Sequence, residues 1–424
     1  MHLWCPMCNF AGMKKSIALV LSFCLFAAPA FAQYQEEETK YEKIKPNFTI
    51  EGWYSAITNG DRDGASLVNA DKNTYPQFNF LLGFQSKPGA KNEAIAEALN
   101  YPVYGIGFGW EKFSSMGFNY SDSRLSDMFN LFGFFEGAIY KTPMFSFGLT
   151  FRLGVGLTFD IYDVDTNPNN VHFGGPLSLY VAGGPQIKFR PTKQLEIAAN
   201  AFIWHHSNGH TWTPNIGINQ RGIGISARYS LEEPYTKNVK KGTHLHDFKS
   251  GFKWDIFTHV GMHSYKSEWF AYNQFVPEKE LKQPSFANWS RVGIGASCQH
   301  RYCLLCSTGI EADMTYMWGM KRLEEADRVL FGDEAVDKSK GYCPVMLTAG
   351  AVHEFYYGNV SAYLGIGAYV LHKVGIYEDS TWMYEKIGMR FYVPNWNNIF
   401  IGWNILARNF TEADHFEFQL GIRL

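Results

Sequence analysis

Charge and long apolar runs are what this chain has least of. Of its 424 residues only 18% are charged, and the formal net charge is -2. So even a balance gives no footing for a nucleic-acid partner. Beyond the N-terminal segment no apolar run approaches about 18 residues, which excludes a bundle of membrane-crossing helices. Cysteine is scarce as well: seven in all, of which only Cys298, Cys303, Cys306 and Cys343 lie past residue 32. Four cysteines allow three pairings, and spacing selects none of them. Cys303-x-x-Cys306 has redox spacing, but no strand–helix alternation surrounds it, so a pair beside a hairpin turn is the better reading. Aromatics, in contrast, make up 17% of the chain and glycine occurs 40 times. That composition excludes a disordered chain and suits a β-rich protein with dispersed apolar residues.

The first segment reads as an export signal. Lys14 and Lys15 precede the apolar run Ile17 to Ala28, and Ala30-Phe31-Ala32 supplies a small-residue cleavage pattern. Residues 1–32 are therefore expected to be removed, leaving a mature charge of -4. Met13 is an alternative start, which would put Cys5-x-x-Cys8 outside the protein. That pair has no second pair at metal-site spacing. Cys24 lies inside the apolar run, so no lipoprotein anchor is expected. Residues 33–45, with Glu36, Glu37 and Glu38, read as a charged leader outside any sheet.

From there on the chain alternates. Phe145, Phe147, Leu149, Phe151, Leu153, Val155, Leu157, Phe159 and Ile161 are apolar at every odd position. Ser146, Gly148, Thr150, Arg152, Gly154, Gly156, Thr158 and Asp160 fill the even ones. This is period two, a strand with two unlike faces. The end of the chain does the same, with Phe416, Phe418, Leu420, Ile422 and Leu424 against Glu417, Gln419, Gly421 and Arg423. Soluble strands run about five or six residues, whereas a tilted membrane strand needs about nine to eleven. The runs here are of the longer kind.

Candidate strands fall near 48–57, 75–86, 101–112, 130–140, 145–161, 177–190, 194–206, 218–231, 251–265, 290–302, 306–318, 344–356, 359–372, 382–393, 397–408 and 415–424. Long alternating strands behind a signal peptide predict a transmembrane antiparallel outer-membrane β-barrel of roughly 12–16 strands, spanning 46–424. Its localisation is the outer membrane of a Gram-negative cell. Segments 58–74, 113–128, 162–174, 232–249, 266–289 and 321–340 read as loops. Thr243-His244-Leu245-His246-Asp247, in a Lys-rich loop, is better taken as a solvated turn than as a metal cluster.

One patch departs from barrel routine. Residues 203–210 read Ile203-Trp204-His205-His206-Ser207-Asn208-Gly209-His210 at the end of a strand. Ester hydrolysis by a nucleophile needs a hydroxyl, a base and donors for the oxyanion. His205 and Ser207 are two apart, so they share one face of the strand. They continue the apolar row Leu195, Ile197, Ala199, Ala201 and Ile203, while His206 falls on the opposite face with Trp204. In the next strand Asn219 and Arg221 continue the apolar row Ile223, Ile225, Ala227 and Tyr229. Ordinary rim residues beneath an extracellular loop are the plain alternative.

The run His205-x-Ser207-Asn208, followed by Pro214-Asn215-x-Gly217-Ile218-Asn219, resembles the PagL-type lipid A 3-O-deacylases and their acyloxyacyl-hydrolase-like relatives. Asn100-Tyr101-Pro102-Val103 with Gly105-x-Gly107 resembles the relatives' entry into an early strand, so the likeness covers about 100–231 and the chain's ending at 415–424. The resemblance implies that His205 is general base, that Ser207 is nucleophile, and that the site faces lipid. Asn208, Gly209 and Asn215 fall around the family's oxyanion site. The family's orienting glutamate falls at Asn219, which can accept a hydrogen bond but carries no charge. Glu232 and Glu233 lie beyond the strand's far end. The family's short barrels have eight strands, and this chain runs on for nearly 200 residues past the motif.

The leading expectation is an outer-membrane esterase that hydrolyses an acyl ester of lipid A or lipopolysaccharide, with no metal or cofactor. The rival is a porin or hydrophobic-compound transporter. A third class is an adhesive barrel using its long loops. An open lumen favours the porin; a filled lumen with an outward groove at Ser207 favours the enzyme.

Overall fold

Alternating residues with one apolar and one polar face can satisfy their backbone in lipid only as a closed sheet, and the computed structural model has closed sheets. It describes residues 44–58, 74–90, 93–115, 123–239, 248–274, 288–378, 381–396, 398–409 and 412–424. The signal segment, most of the leader and the His244–His246 turn lie outside them.

Among the described residues sixteen antiparallel strands form, at the upper end of the expected number. They close as two rings of eight rather than one wide ring. The first ring holds β1 (Ile44–Ile57), β2 (Thr74–Ser86), β3 (Val103–Glu111), β4 (Met128–Lys141), β5 (Phe145–Leu157), β6 (Leu177–Phe189), β7 (Leu195–Ser207) and β8 (Ile218–Ser230). The second holds β9 (Gly251–His263), β10 (Trp289–Arg301), β11 (Cys306–Met317), β12 (Val345–Tyr357), β13 (Val360–Leu371), β14 (Met383–Tyr392), β15 (Ile399–Arg408) and β16 (Glu412–Arg423). β1 closes on β8 with Asn47 opposite Ser230, and β9 closes on β16 with Ile256 opposite Ile422. Alternation reports which face a residue takes, not which strands meet, so one ring and two rings give the same pattern.

The polarity is inside-out. Ile50, Phe80, Phe151, Ile203 and Ile225 point outward from the first ring, and Ile294, Ile310 and Val370 from the second. An apolar band this continuous on a protein's exterior is a lipid-facing surface. Inside, an eight-stranded ring is just wide enough for side chains to fill it. In the first ring Arg152 pairs with Glu51 at 2.8 Å and lies against Trp53, Phe132 and Phe202. In the second, Asp255 binds Arg423 at 2.7 Å and Arg390 at 3.0 Å, while Lys386 binds Glu311 at 2.6 Å. All of these charged groups are buried, and each has an opposite charge beside it, as a low-dielectric interior requires.

Two loop expectations need correction. Within 321–340 the chain folds into helices α3 (Met320–Phe331) and α4 (Asp333–Asp337), and within 266–289 into the short helix α2 (Lys266–Trp269); α1 is Glu93–Ala98. α3 buries Leu323 and Ala326 in an i, i+3 stripe that its charged residues obscure in sequence. Cys303 lies in the β10–β11 turn and Cys306 opens β11, and none of the four cysteines past residue 32 is in a disulfide.

Candidate active site

β7 alternates buried and exposed residues up to its last turn. Glu196, Ala198, Asn200, Phe202, Trp204 and His206 point inward, while Ile197, Ala199, Ala201 and Ile203 point out. Ile203 is 71% exposed. His205 follows in the outward row and is half-buried. Across the ladder it sits directly opposite Asn219, and His205 Nδ1 lies 2.6 Å from Asn219 Oδ1. Because the amide oxygen only accepts, Nδ1 carries the proton and Nε2 keeps its lone pair.

Ser207 closes the strand. It has outward parity but is only 7% exposed, because the loop after it folds back over the strand end. Among the described residues no hydrogen bond joins its hydroxyl to His205; the two side chains are neighbours along one row. Such contacts commonly tighten only when substrate binds.

The loop of residues 208–217 is stapled by its own asparagines. Asn208 N–H donates to Asn215 Oδ1 at 3.0 Å, and Asn208 Nδ2 donates to the Trp212 carbonyl at 2.8 Å. The Asn208 side chain is thus committed to the loop, and so is its backbone N–H. Gly209 takes a left-handed φ of 61°, the conformation glycine adopts without cost.

Gly217 entered the sequence reading only as one position of the motif, yet the geometry of the candidate site depends on it. Its φ is 69°, and a Cβ there would come within 3.1 Å of Ser207 Cβ and 3.3 Å of His205 Cε1. It would also stand 2.4 Å from the His206 carbonyl oxygen. Only glycine lets the loop return this close. His172 holds it there, with Nδ1–H donating to the Gly217 carbonyl at 2.8 Å. Burial pushes the His172 ring down to about 4, against the raising pull of that carbonyl. His172 lies 45 residues from Gly217, and no spacing rule connects them.

The second ring also reaches the loop. Ser264 N–H donates to the His210 carbonyl at 3.0 Å, and the Ser264 and Thr213 hydroxyls are 2.6 Å apart. His210 Nδ1–H donates to the Ala413 carbonyl at 2.9 Å, and its ring packs on His263 at 5.1 Å. A Cβ on Gly209 would approach Phe416 Cβ to 3.2 Å. Burial first, then the Lys266 charge, hold the His210 ring down at about 3.

Inward-facing His206 has a different life. Its Nε2 lies 3.2 Å from Glu111, its Nδ1 faces Ser178, and Tyr180 packs on the ring. Glu232 is far from the site, paired with Lys87 at the opposite end of the ring.

Just below His205 and Asn219, an outward groove of about 550 Å³ opens on the lipid face. It is lined among others by Tyr54, Gly183, Pro185, Ala201, Ile203 and Ile223. Two small outward residues, Gly183 and Ala201, make the depression. Pro185, which has no N–H to give, lies where the β6–β7 ladder breaks between Gly183 and Gln186. Among the described residues no three His, Cys, Asp or Glu side chains are gathered to hold a metal.

Residues 252–424 match the family described as acyloxyacyl hydrolase, C-terminal domain. The match supports a PagL-like family, and it falls on the second ring, whereas His205, Ser207 and Asn219 belong to the first. Similar solved structures include Acinetobacter baumannii OccAB1, at 7% identity and a TM-score of 0.23, covering 91% of this chain and 99% of that one. Pseudomonas aeruginosa OccK8 (OprE) is 10% identical with a TM-score of 0.21, covering 90% and 98%. Escherichia coli outer membrane phospholipase A is 7% identical with a TM-score of 0.17, covering 89% and 92%. No curated protein matches the chain.

Proposed function

We propose that this protein is an outer-membrane esterase that removes an ester-linked acyl chain from lipid A or a similar glycolipid. The observation that carries the reading is the outward His205–Asn219 pair, beside Ser207 and at the head of an apolar groove. His205 Nε2 takes the Ser207 proton as Oγ attacks the ester carbonyl. Asn219 keeps the ring in the tautomer this needs. The oxyanion is received by the Asn215 NH2 group and the backbone N–H of Gly209. A single such donor is worth about 10²–10³ in rate. Collapse of the tetrahedral intermediate expels the sugar hydroxyl, which takes the proton from His205. Water, deprotonated by His205, then frees the fatty acid from Ser207.

The acyl chain would lie in the groove between Tyr54, Ile203 and Ile223, still on the lipid side, so the substrate need not leave the membrane. The family match over 252–424 supports a hydrolase of this class. The filled interiors of both rings weigh against a porin or transporter, which needs a continuous lumen. The test is mass spectrometry of lipid A from cells with and without the protein. Loss of one acyl chain in its presence is expected; identical lipid A in both would overturn the reading.

A further inference from the structure

On a lipid-facing row a charged side chain is expensive, most of all toward the bilayer midplane and less near the rim. Arg221 is such a residue. It is exposed, one outward step below Asn219, in the row that continues through Ile223 and Ile225. Across the ladders it stands opposite Ile203 of β7 and Ala56 of β1. It is also the one charged residue among those lining the groove. Among the described residues no carboxylate pairs with it. Every other arginine of the first ring's described strands, Arg152 and Arg228, faces inward onto a glutamate.

We infer that Arg221 recognises an anionic, phosphate-bearing headgroup of the ester substrate, and so selects phosphorylated glycolipids. This rests on the esterase reading of the same site. A guanidinium offers a planar fork of donors that matches a phosphate bidentately, and such charge-assisted bonds are among the strong ones. The stem can lie along the apolar row with its head toward the polar rim, alongside Asn219 and His205. A phosphate held there fixes the sugar while the acyl chain runs down the groove. The ester between them is brought to Ser207. Tyr54, Ile203 and Ile223 alone would hold any acyl chain; the charge is what distinguishes one headgroup from another.

The experiment uses the full-length folded protein in detergent, with bisphosphorylated lipid A and the same lipid after enzymatic removal of its phosphates. Wild type should prefer the phosphorylated lipid by about ten-fold or more in kcat/KM, the scale of one charge-assisted contact. Arg221→Gln should raise KM for the phosphorylated lipid and bring the two substrates together, and Arg221→Lys should restore part of the preference. A Gln variant that keeps the preference, or a wild type without one, overturns the inference. A second readout is retention of each lipid by folded Ser207→Ala, with and without Arg221→Gln. Phosphate-dependent retention that disappears with Arg221, in a protein whose wild type releases no acyl chain, would sink the esterase reading and leave the Arg221 assignment standing. Equal retention in both variants would sink the assignment.

Discussion

His205 and Asn219 are directly opposed residues of neighbouring strands, with the ring Nδ1 2.6 Å from the amide oxygen. The pair fixes the tautomer of the ring, and it does so without a negative charge. In the families this motif resembles, a glutamate stands at the position of Asn219. In the proposed reaction the His205 imidazolium would be oriented by Asn219 but left without a counter-charge.

A carboxylate of matching length should supply what is missing. Asn219→Asp is expected to raise acyl release roughly ten-fold, since a charged acceptor stabilises imidazolium where a neutral one only orients it. Asn219→Leu should lower it by a similar factor. If Asp lowers release in a protein that still folds, His205 is not the base that charges in the rate-limiting step.

The second ring should affect turnover without touching substrate. Ser264→Ala removes the hydroxyl that meets Thr213 at 2.6 Å and leaves Thr213 buried with one partner fewer. The loop that carries Asn215 would loosen by roughly 1–3 kcal/mol. Acyl release is expected to fall several-fold while heat-modifiability on gels is unchanged. Wild-type release from this variant would make the ring-to-ring contact irrelevant to the site.

Acid should release the same loop. The His172 ring titrates near 6.5 when free and at about 4 in the folded loop, chiefly because it is buried. A ring held neutral stabilises the fold fully above the free value, and the loss accrues as pH falls from about 6.5 to 4. It amounts to something on the order of 3 kcal/mol. Limited proteolysis of 208–217 should therefore rise below about pH 6. His172→Asn, which keeps a donor for the Gly217 carbonyl but cannot titrate, should shift that rise to lower pH. Identical profiles would show that His172 does not govern the loop.

Much of this architecture could be read from the residues in order. All sixteen strands lie within a few residues of where period two puts them, and the parity that separates His205 from His206 holds in the structure. What sequence could not give is pairing over distance. Closure of β1 on β8 joins residues more than 160 positions apart, and alternation is blind to it. A signal did exist in the inward row, where Trp53, Phe132, Phe202, Trp204 and Tyr363 are too bulky for a wide aqueous lumen and suit a filled ring of eight. At the candidate site, His205, Ser207 and Asn219 were legible because they are close in chain and have the same outward parity on neighbouring strands. His172, Ser264 and Phe416 were not, since each meets the loop from a distant segment. Asn208 was legible as a site residue, but its commitment to Trp212 and Asn215 follows only from the loop's fold.

The most direct test of the account is acyl release from purified lipid A by folded single variants at three adjacent positions. Ser207→Ala and His205→Ala should each abolish release, and the double variant should be scarcely worse than either, because members of one catalytic unit are not additive. His206→Ala should keep the activity of its folded fraction. It removes a ring that meets Glu111 at 3.2 Å inside the barrel, so its cost should appear as roughly 1–3 kcal/mol of lost stability. Full release by folded Ser207→Ala, or equal losses at positions 205 and 206, would contradict a lipid-facing Ser207–His205 site.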